Sequence, residues 1–246
     1  MNRAAICRAA IVFAALLGSG WGQQPKLEPA TPKRQVVPTV TFEFAWPGAD
    51  PAHYALAVDS TGRAAYRDDD PAADSQTGDP YLYKFVVSEP TRSRIFQLAQ
   101  QAHYFQGDFD YKKGRIAQTG IKTLSYREGP GELFFQPTNG VRTQTSYNWS
   151  ENPAIQQLTT LFQDIAATLQ AGRKLSFLRR FDKLGLDAEL KHIEESQKSG
   201  SMAELQAIAP VLQEVAQDPG VMHVSRQRAQ HLLSAVQTAS AQPSSR

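Results

Sequence analysis

Five aspartates crowd one short stretch of the chain: Asp68, Asp69, Asp70, Asp74 and Asp79. Carboxylate oxygens on a flexible loop are the ligands that calcium takes. A calcium loop of the helix-loop-helix kind needs Asp-x-Asp-x-Asp-Gly spacing, which is missing, and Pro71 and Pro80 interrupt the run. A solvated hairpin loop is the better reading, and no metal ligand is assigned.

The five histidines are His53, His103, His192, His223 and His231. None stands in a His-Glu-x-x-His pattern, so zinc has no ligand set. His103 falls near the end of an expected helix, where a cation complements the dipole. A hydrolytic triad of His103 with Asp108 or Asp110 and a distant serine is conceivable, because triads assemble in space rather than in sequence. No Gly-x-Ser-x-Gly elbow supports it. The sequence therefore assigns no catalytic residue, no metal site and no cofactor, and leaves the ligand-binding residues unknown.

Other side chains suit binding. Phe109, Tyr111, Lys112, Lys113 and Arg115 make a basic-aromatic group of the type that meets anionic polymers, although three loop cations are more often simply solvated. Exposed aromatics such as Trp46 and Tyr81 suit stacking on a glycan. Asn148-Trp149-Ser150 matches the glycosylation sequon, but Trp149 falls on the apolar side of its strand and the match is discounted. Arg173, Lys174, Arg179, Arg180 and Lys183 form a basic run. It is read as the polar face of a bundle helix, with membrane-surface or partner contact as the alternative.

Composition narrows the classes. The chain has 246 residues, 41% hydrophobic and 20% charged, which is globular rather than disordered. Residues 1–22 read as a secretory leader: Arg3 and Arg8, an apolar run from Ala9 to Leu17, then small residues around Gly18 to Gly22. That run is shorter than the roughly 20 residues a membrane span takes. Cys7, the sole cysteine, lies inside the leader, so the processed chain is expected to have no disulfide and no thiolate chemistry. Loss of Arg3 and Arg8 leaves 24 basic against 24 acidic residues. A balanced charge argues against nucleic acid as partner. The expected location is the periplasm or the extracellular space.

The elements that must position these groups follow from periodicity. Residues 23–40 carry Pro25, Pro29, Pro32 and Pro38 and read as a linker. Phe42, Phe44 and Trp46 alternate along a strand, and Tyr54 to Arg67 reads as a hairpin about Asp59-Ser60-Thr61-Gly62. In Tyr81 to Val87 both faces are apolar, which predicts a central strand. Ser88 is expected to cap a helix whose stripe is Ile95, Leu98, Ala99 and Ala102. Ile121 to Arg127 is a strand. Asn139-Gly140 predicts a hairpin pairing Leu133–Pro137 with Val141–Trp149, and the latter alternates Val141, Thr143, Thr145, Tyr147 and Trp149 on one side. Asn152-Pro153 opens a helix with the stripe Ile155, Leu158, Phe162, Ile165 and Leu169, ended near Ala171-Gly172.

Beyond that point the pattern is wholly helical. A short helix from Phe177 to Leu184 is expected to break at Gly185, and Leu186, Leu190 and Ile193 stripe the next. Ser201-Met202-Ala203-Glu204 reads as a capping box, Pro210 inside the following stripe predicts a kink or a break, and Asp218-Pro219 is expected to cap the last helix. The expected class is α+β: an antiparallel sheet with two packed helices, followed by a small all-α C-terminal bundle. Its segments are a leader (1–22), a Pro-rich linker (23–40), an α+β domain (41–172), a helical region (173–238) and a polar tail (239–246).

The hairpin Tyr54 to Tyr66, the strand Phe85 to Val87, the helix Ser88 to Phe105 with its closing aromatic pair, and the meander and helix beyond them resemble uncharacterised secreted bacterial domains. The resemblance covers Thr41 to about Leu169 and implies an exported bacterial envelope protein. It carries over no catalytic residue. The function expected is a non-catalytic envelope module that binds another envelope component, with an envelope protein or a glycan as the partner. A hydrolase acting on an envelope polymer and a glycan-binding module are the alternatives.

Overall fold

The computed structural model describes residues 36–68, 81–130, 135 and 142–241. Its strands are β1 (Val36–Ala45), β2 (His53–Asp59), β3 (Arg63–Asp68), β4 (Tyr81–Val86), β5 (Ile121–Pro130) and β6 (Arg142–Tyr147). Its α-helices are α1 (Glu89–Gln101), α2 (Pro153–Phe181), α3 (Lys183–Ser199), α4 (Ala209–Gln217) and α5 (His223–Ala241), with 3-10 turns at His103–Phe105 and Leu205–Ile208. All strand pairs are antiparallel, in the order β4-β3-β2-β1-β5-β6.

The pleat puts alternate residues of each strand on one face. Phe42 pairs laterally with Leu56 on one side and Leu124 on the other, and all three are fully buried. α2 lies on this face. Its Phe162 ring stacks on Phe42 at 5.5 Å, and the Thr159 hydroxyl meets that of Tyr147 at 2.5 Å. Ile95 and Leu98 of α1 join the same core as Leu158 and Ile165 of α2. Each such side chain contributes roughly 1.5–3 kcal/mol by leaving water. The α+β class and the alternation of β6 therefore stand as the sequence predicts. So does the start of α2, where Asn152 Oδ1 accepts from the amides of Ala154 and Ile155.

Several boundaries differ. β1 begins at Val36, so Val36 to Val40 belong to the sheet and not to the linker. β4 is an edge strand, not a central one; Leu82 and Val86 point outward and remain exposed while Tyr81, Tyr83 and Phe85 are partly covered. Apolar residues on both faces marked neither position in the sheet nor burial. The partner of β6 is β5, through Lys122–Arg127. Of the proposed Leu133–Pro137 arm only Phe135 lies among the described residues, under the Arg67 guanidinium at 4.9 Å.

α2 does not stop at Gly172. It continues without interruption to Phe181, so the expected boundary at 172 falls in mid-helix. Gly172 is there for close approach: a Cβ would collide with Ile208 of the second 3-10 turn. Phe177 and Phe181 are the last turns of α2. The break is at Asp182, whose Oδ1 caps α3 through Leu184 and Gly185, so Gly185 starts a helix and does not end one. Pro210 sits in the first turn of α4, where its missing N–H costs nothing, and the expected break falls just before it, where the 3-10 turn Leu205–Ile208 gives way to α4 at Ala209. Asp218 accepts from the Gly220 amide in the turn ahead of α5 rather than capping it.

The proposed capping box is not formed. Glu204 takes a left-handed backbone (φ 61°), and its carboxylate accepts from the Ser88 amide and hydroxyl, each at 2.7 Å. Ser88 in turn makes no side-chain cap on its own helix. The helical region is thus fastened to the start of α1, and the Tyr83 hydroxyl adds a bond to the Ala207 carbonyl at 2.7 Å. One continuous core runs from Phe42 through Leu175 to Leu190, Leu212 and Leu232.

Candidate functional site

Two tryptophans are left partly in water, Trp46 at 39% and Trp149 at 38% exposed. Both line one cleft of about 590 Å³, within the usual range for a small-ligand site. Trp46 follows β1 directly and Trp149 follows β6 by one residue, so both stand at the same end of the sheet. The start of α2 supplies the facing wall. Gln156, Thr160 and Gln163 present a polar row at i, i+4 and i+7.

Both indoles are held. Trp46 exchanges backbone bonds with Ala49 and Ala52, and a Cβ on Gly48 would lie 3.3 Å from its ring. Gly120 (φ +88°) lets the chain pass close behind; a Cβ there would reach 2.7 Å from Trp46 Cβ and from Phe44. Trp149 meets the Tyr111 ring edge-on at 5.1 Å, and its carbonyl accepts from the Tyr111 amide. Fixed rings make a binding surface that loses little entropy when occupied.

The floor is the row Phe44–Lys122–Tyr147 across β1, β5 and β6. Lys122 is only 6% exposed. Its ammonium donates to the carbonyls of Thr119 (3.0 Å), Gly120 (3.1 Å) and Asn148 (2.9 Å) and to the Thr119 hydroxyl (2.8 Å). Burial lowers its pKa. Tyr147 is pushed up by burial, so it stays a neutral hydroxyl. Thr160 and Gln163 make no side-chain hydrogen bond among the described residues, while Gln156 donates to the Ser150 carbonyl at 2.7 Å. The cleft thus combines apolar ring faces with amide and hydroxyl groups. Its described lining holds no carboxylate and no imidazole.

The residues singled out from the sequence scatter. Asp68 is buried and bonded to Arg173 at 2.5 Å; Asp69, Asp70, Asp74 and Asp79 lie outside the described residues. Among the described residues no group of three or more His, Cys, Asp or Glu is placed to hold a metal. His103 is exposed on a turn in which His103, Tyr104 and Phe105 all have positive φ. Asp108 is engaged by Lys112, which holds its carboxyl below the usual range, and Asp110 accepts from the Asn148 amide at 2.9 Å. Those two aspartates line a cavity of about 300 Å³ that His103 does not line, and among the described residues His103 makes no hydrogen bond to either. Lys113 pairs with Glu151 at 2.9 Å, and Arg115 is exposed.

Asn148 is occupied as well. Its side chain bonds to Thr119 and to the Ala117 carbonyl, and Ser150 is buried. The basic run is largely consumed inside the fold: Arg173 by Asp68, Lys174 by Glu189 at 2.5 Å, and Arg179 by Glu214 at 2.7 Å. Tyr81 lies half-buried under Arg173, whose guanidinium is 4.5 Å from its ring, and so is not the open platform expected. A concavity of about 750 Å³ beside α2 and α3 contains the Arg173–Asp68 and Lys174–Glu189 pairs. Of the two aromatics proposed for glycan contact, only Trp46 lines the tryptophan cleft. The alternation of β6 predicts burial for Trp149, but the strand ends at Tyr147 and the indole beyond it stays 38% exposed.

Among the described residues no helix is long and apolar enough to cross a membrane. In comparisons with known proteins, no family model matches the sequence and no curated protein matches it significantly.

Proposed function

We propose that this chain is an exported, non-catalytic binding module, and that the envelope component it takes is a glycan held between Trp46 and Trp149. The carrying observation is the cleft itself: two partly exposed indoles lining one cleft with a row of amides and hydroxyls. Sugar rings offer flat C–H faces to aromatic planes and equatorial hydroxyls to amides, and this cleft supplies both complements. Export rests on the leader-like residues 1–22 and on the resemblance to secreted bacterial domains.

The test is a glycan array with the mature chain, followed by calorimetry on the best ligand. Trp46→Ala and Trp149→Ala should each weaken binding by roughly 5- to 30-fold, the equivalent of about 1–2 kcal/mol for a lost ring contact. Tryptophan fluorescence should shift on titration. An array without hits, together with unchanged fluorescence, would remove the proposal.

A further inference from the structure

Lys122 is the only charged side chain among the described residues lining the tryptophan cleft. It is nearly buried, and its bonding partners are all neutral: three carbonyls and one hydroxyl. No ion pair joins it to any described carboxylate. A buried charge without a counter-charge is costly. Neutral acceptors satisfy its N–H groups but leave one full positive charge at the floor.

The neighbouring acids are committed elsewhere. Asp110 accepts the Asn148 amide, and Glu151 pairs with Lys113 at 2.9 Å, on the loop side of Asn148. Three N–H bonds shared among four oxygens also leave the nitrogen no free lone pair, which speaks against a nucleophilic lysine. We infer that the glycan taken by this cleft is acidic, with a carboxylate-bearing sugar seated over Lys122 and its ring against the indoles. The inference rests on the reading of the cleft as a glycan site and names its ligand class. Lys122 acts as a binding residue through its charge, and it also fastens Thr119 and Gly120 to the end of β6.

The two roles separate in one experiment. The probes are a hexuronate oligosaccharide and its carboxyl-reduced neutral counterpart of equal length, titrated into the full mature chain by calorimetry at low and high salt. The acidic probe should bind at least about tenfold tighter than the neutral one, an advantage that falls only in part as salt rises because a nearly buried charge is little screened. A sulfated neutral oligosaccharide forms a third arm. Preference for it over the hexuronate would overturn the carboxylate assignment. Lys122→Arg should retain the preference, whereas Lys122→Gln should abolish it. Should Lys122→Gln fail to fold, the acidic-to-neutral affinity ratio of the native chain and of the arginine variant still decides.

Equal affinity for the acidic and neutral probes would overturn the inference while the glycan reading survives. Binding of neither probe, with an array positive for neutral glycans only, would do the same. Binding of nothing saccharide at all would remove the reading beneath it.

Discussion

The clamp between Glu204 and Ser88 gives the sharpest test of the architecture. Glu204 is 8% exposed and accepts two bonds of 2.7 Å from Ser88, with Gln206 donating to the same carboxylate. Glu204→Gln keeps the volume but removes the charge and turns one acceptor into a donor facing Ser88. A lost hydrogen bond to a charged group costs about 1.5–3 kcal/mol, and an anion at a helix start adds about 0.3–1 kcal/mol. The remaining amide oxygen recovers part of this, so about 2 kcal/mol is expected for Gln and about 3 kcal/mol for Ala. For a chain of this size 2 kcal/mol lowers Tm by roughly 4–8 °C. Urea unfolding of Ser88→Ala, Glu204→Gln and the double variant should show a coupling of at least about 1 kcal/mol. Ser201→Ala should change stability by under about 0.5 kcal/mol, since its hydroxyl bonds to the Ser196 carbonyl and not to the turn beyond. A harmful Ser201→Ala with no Ser88–Glu204 coupling would restore the capping box and refute the clamp.

Three further outcomes are expected. Gly120→Ala should cost about 2–4 kcal/mol, because φ of +88° is unfavourable for alanine and its Cβ would press on Phe44 and Trp46; the accompanying loss of the Trp46 fluorescence environment checks the mechanism. His103→Gly should stabilise by about 0.5–1 kcal/mol, the relief of a left-handed residue less the extra freedom of the unfolded glycine; destabilisation in urea would reveal an unsuspected role for the ring. At high pH the buried Tyr54, Tyr66 and Tyr147, all raised by desolvation, should resist ionising until the chain unfolds. Their neutral form belongs to the fold, so this stability is present below about pH 10 and is lost as pH climbs above it. Lys122, lowered by burial, works in the opposite sense but is one group against three. Tyrosinate absorbance should therefore show a late step coincident with loss of near-ultraviolet circular dichroism. Smooth titration of every tyrosine near pH 10 would contradict it.

Local chemistry made some elements readable. Asn152-Pro153 starts α2 because an Asn oxygen can satisfy two free amides and Pro lacks one. The period of two in β6 and the stripes of α1 and α2 specify which faces are buried, since apolar spacing and backbone geometry agree there. Where a residue's local meaning had more than one partner available, the sequence was ambiguous. Gly172 resembles a helix end, yet it is a contact point for Ile208, which lies 36 positions away in the chain. Glu204 has the spacing of a capping box and serves Ser88 instead, 116 positions away. Apolar residues on both faces of β4 suggest a central strand, but lateral order is decided by which strands meet, and pattern along one strand carries no record of that.

The candidate site divides in the same way. Periodicity, the Asn152-Pro153 helix start and the fold class were determined by the sequence itself, because they depend on neighbours within a few residues. The cleft was decided only by the tertiary structure. Trp46, Lys122, Trp149 and Gln163 come from two loops, a strand and a helix, and no spacing in the chain links them. The sheet brings the ends of β1 and β6 to one side of α2, and burial of Lys122 without an acidic partner follows from that packing alone. A side chain's identity is written in the chain, but its exposure and its company are products of the assembled fold.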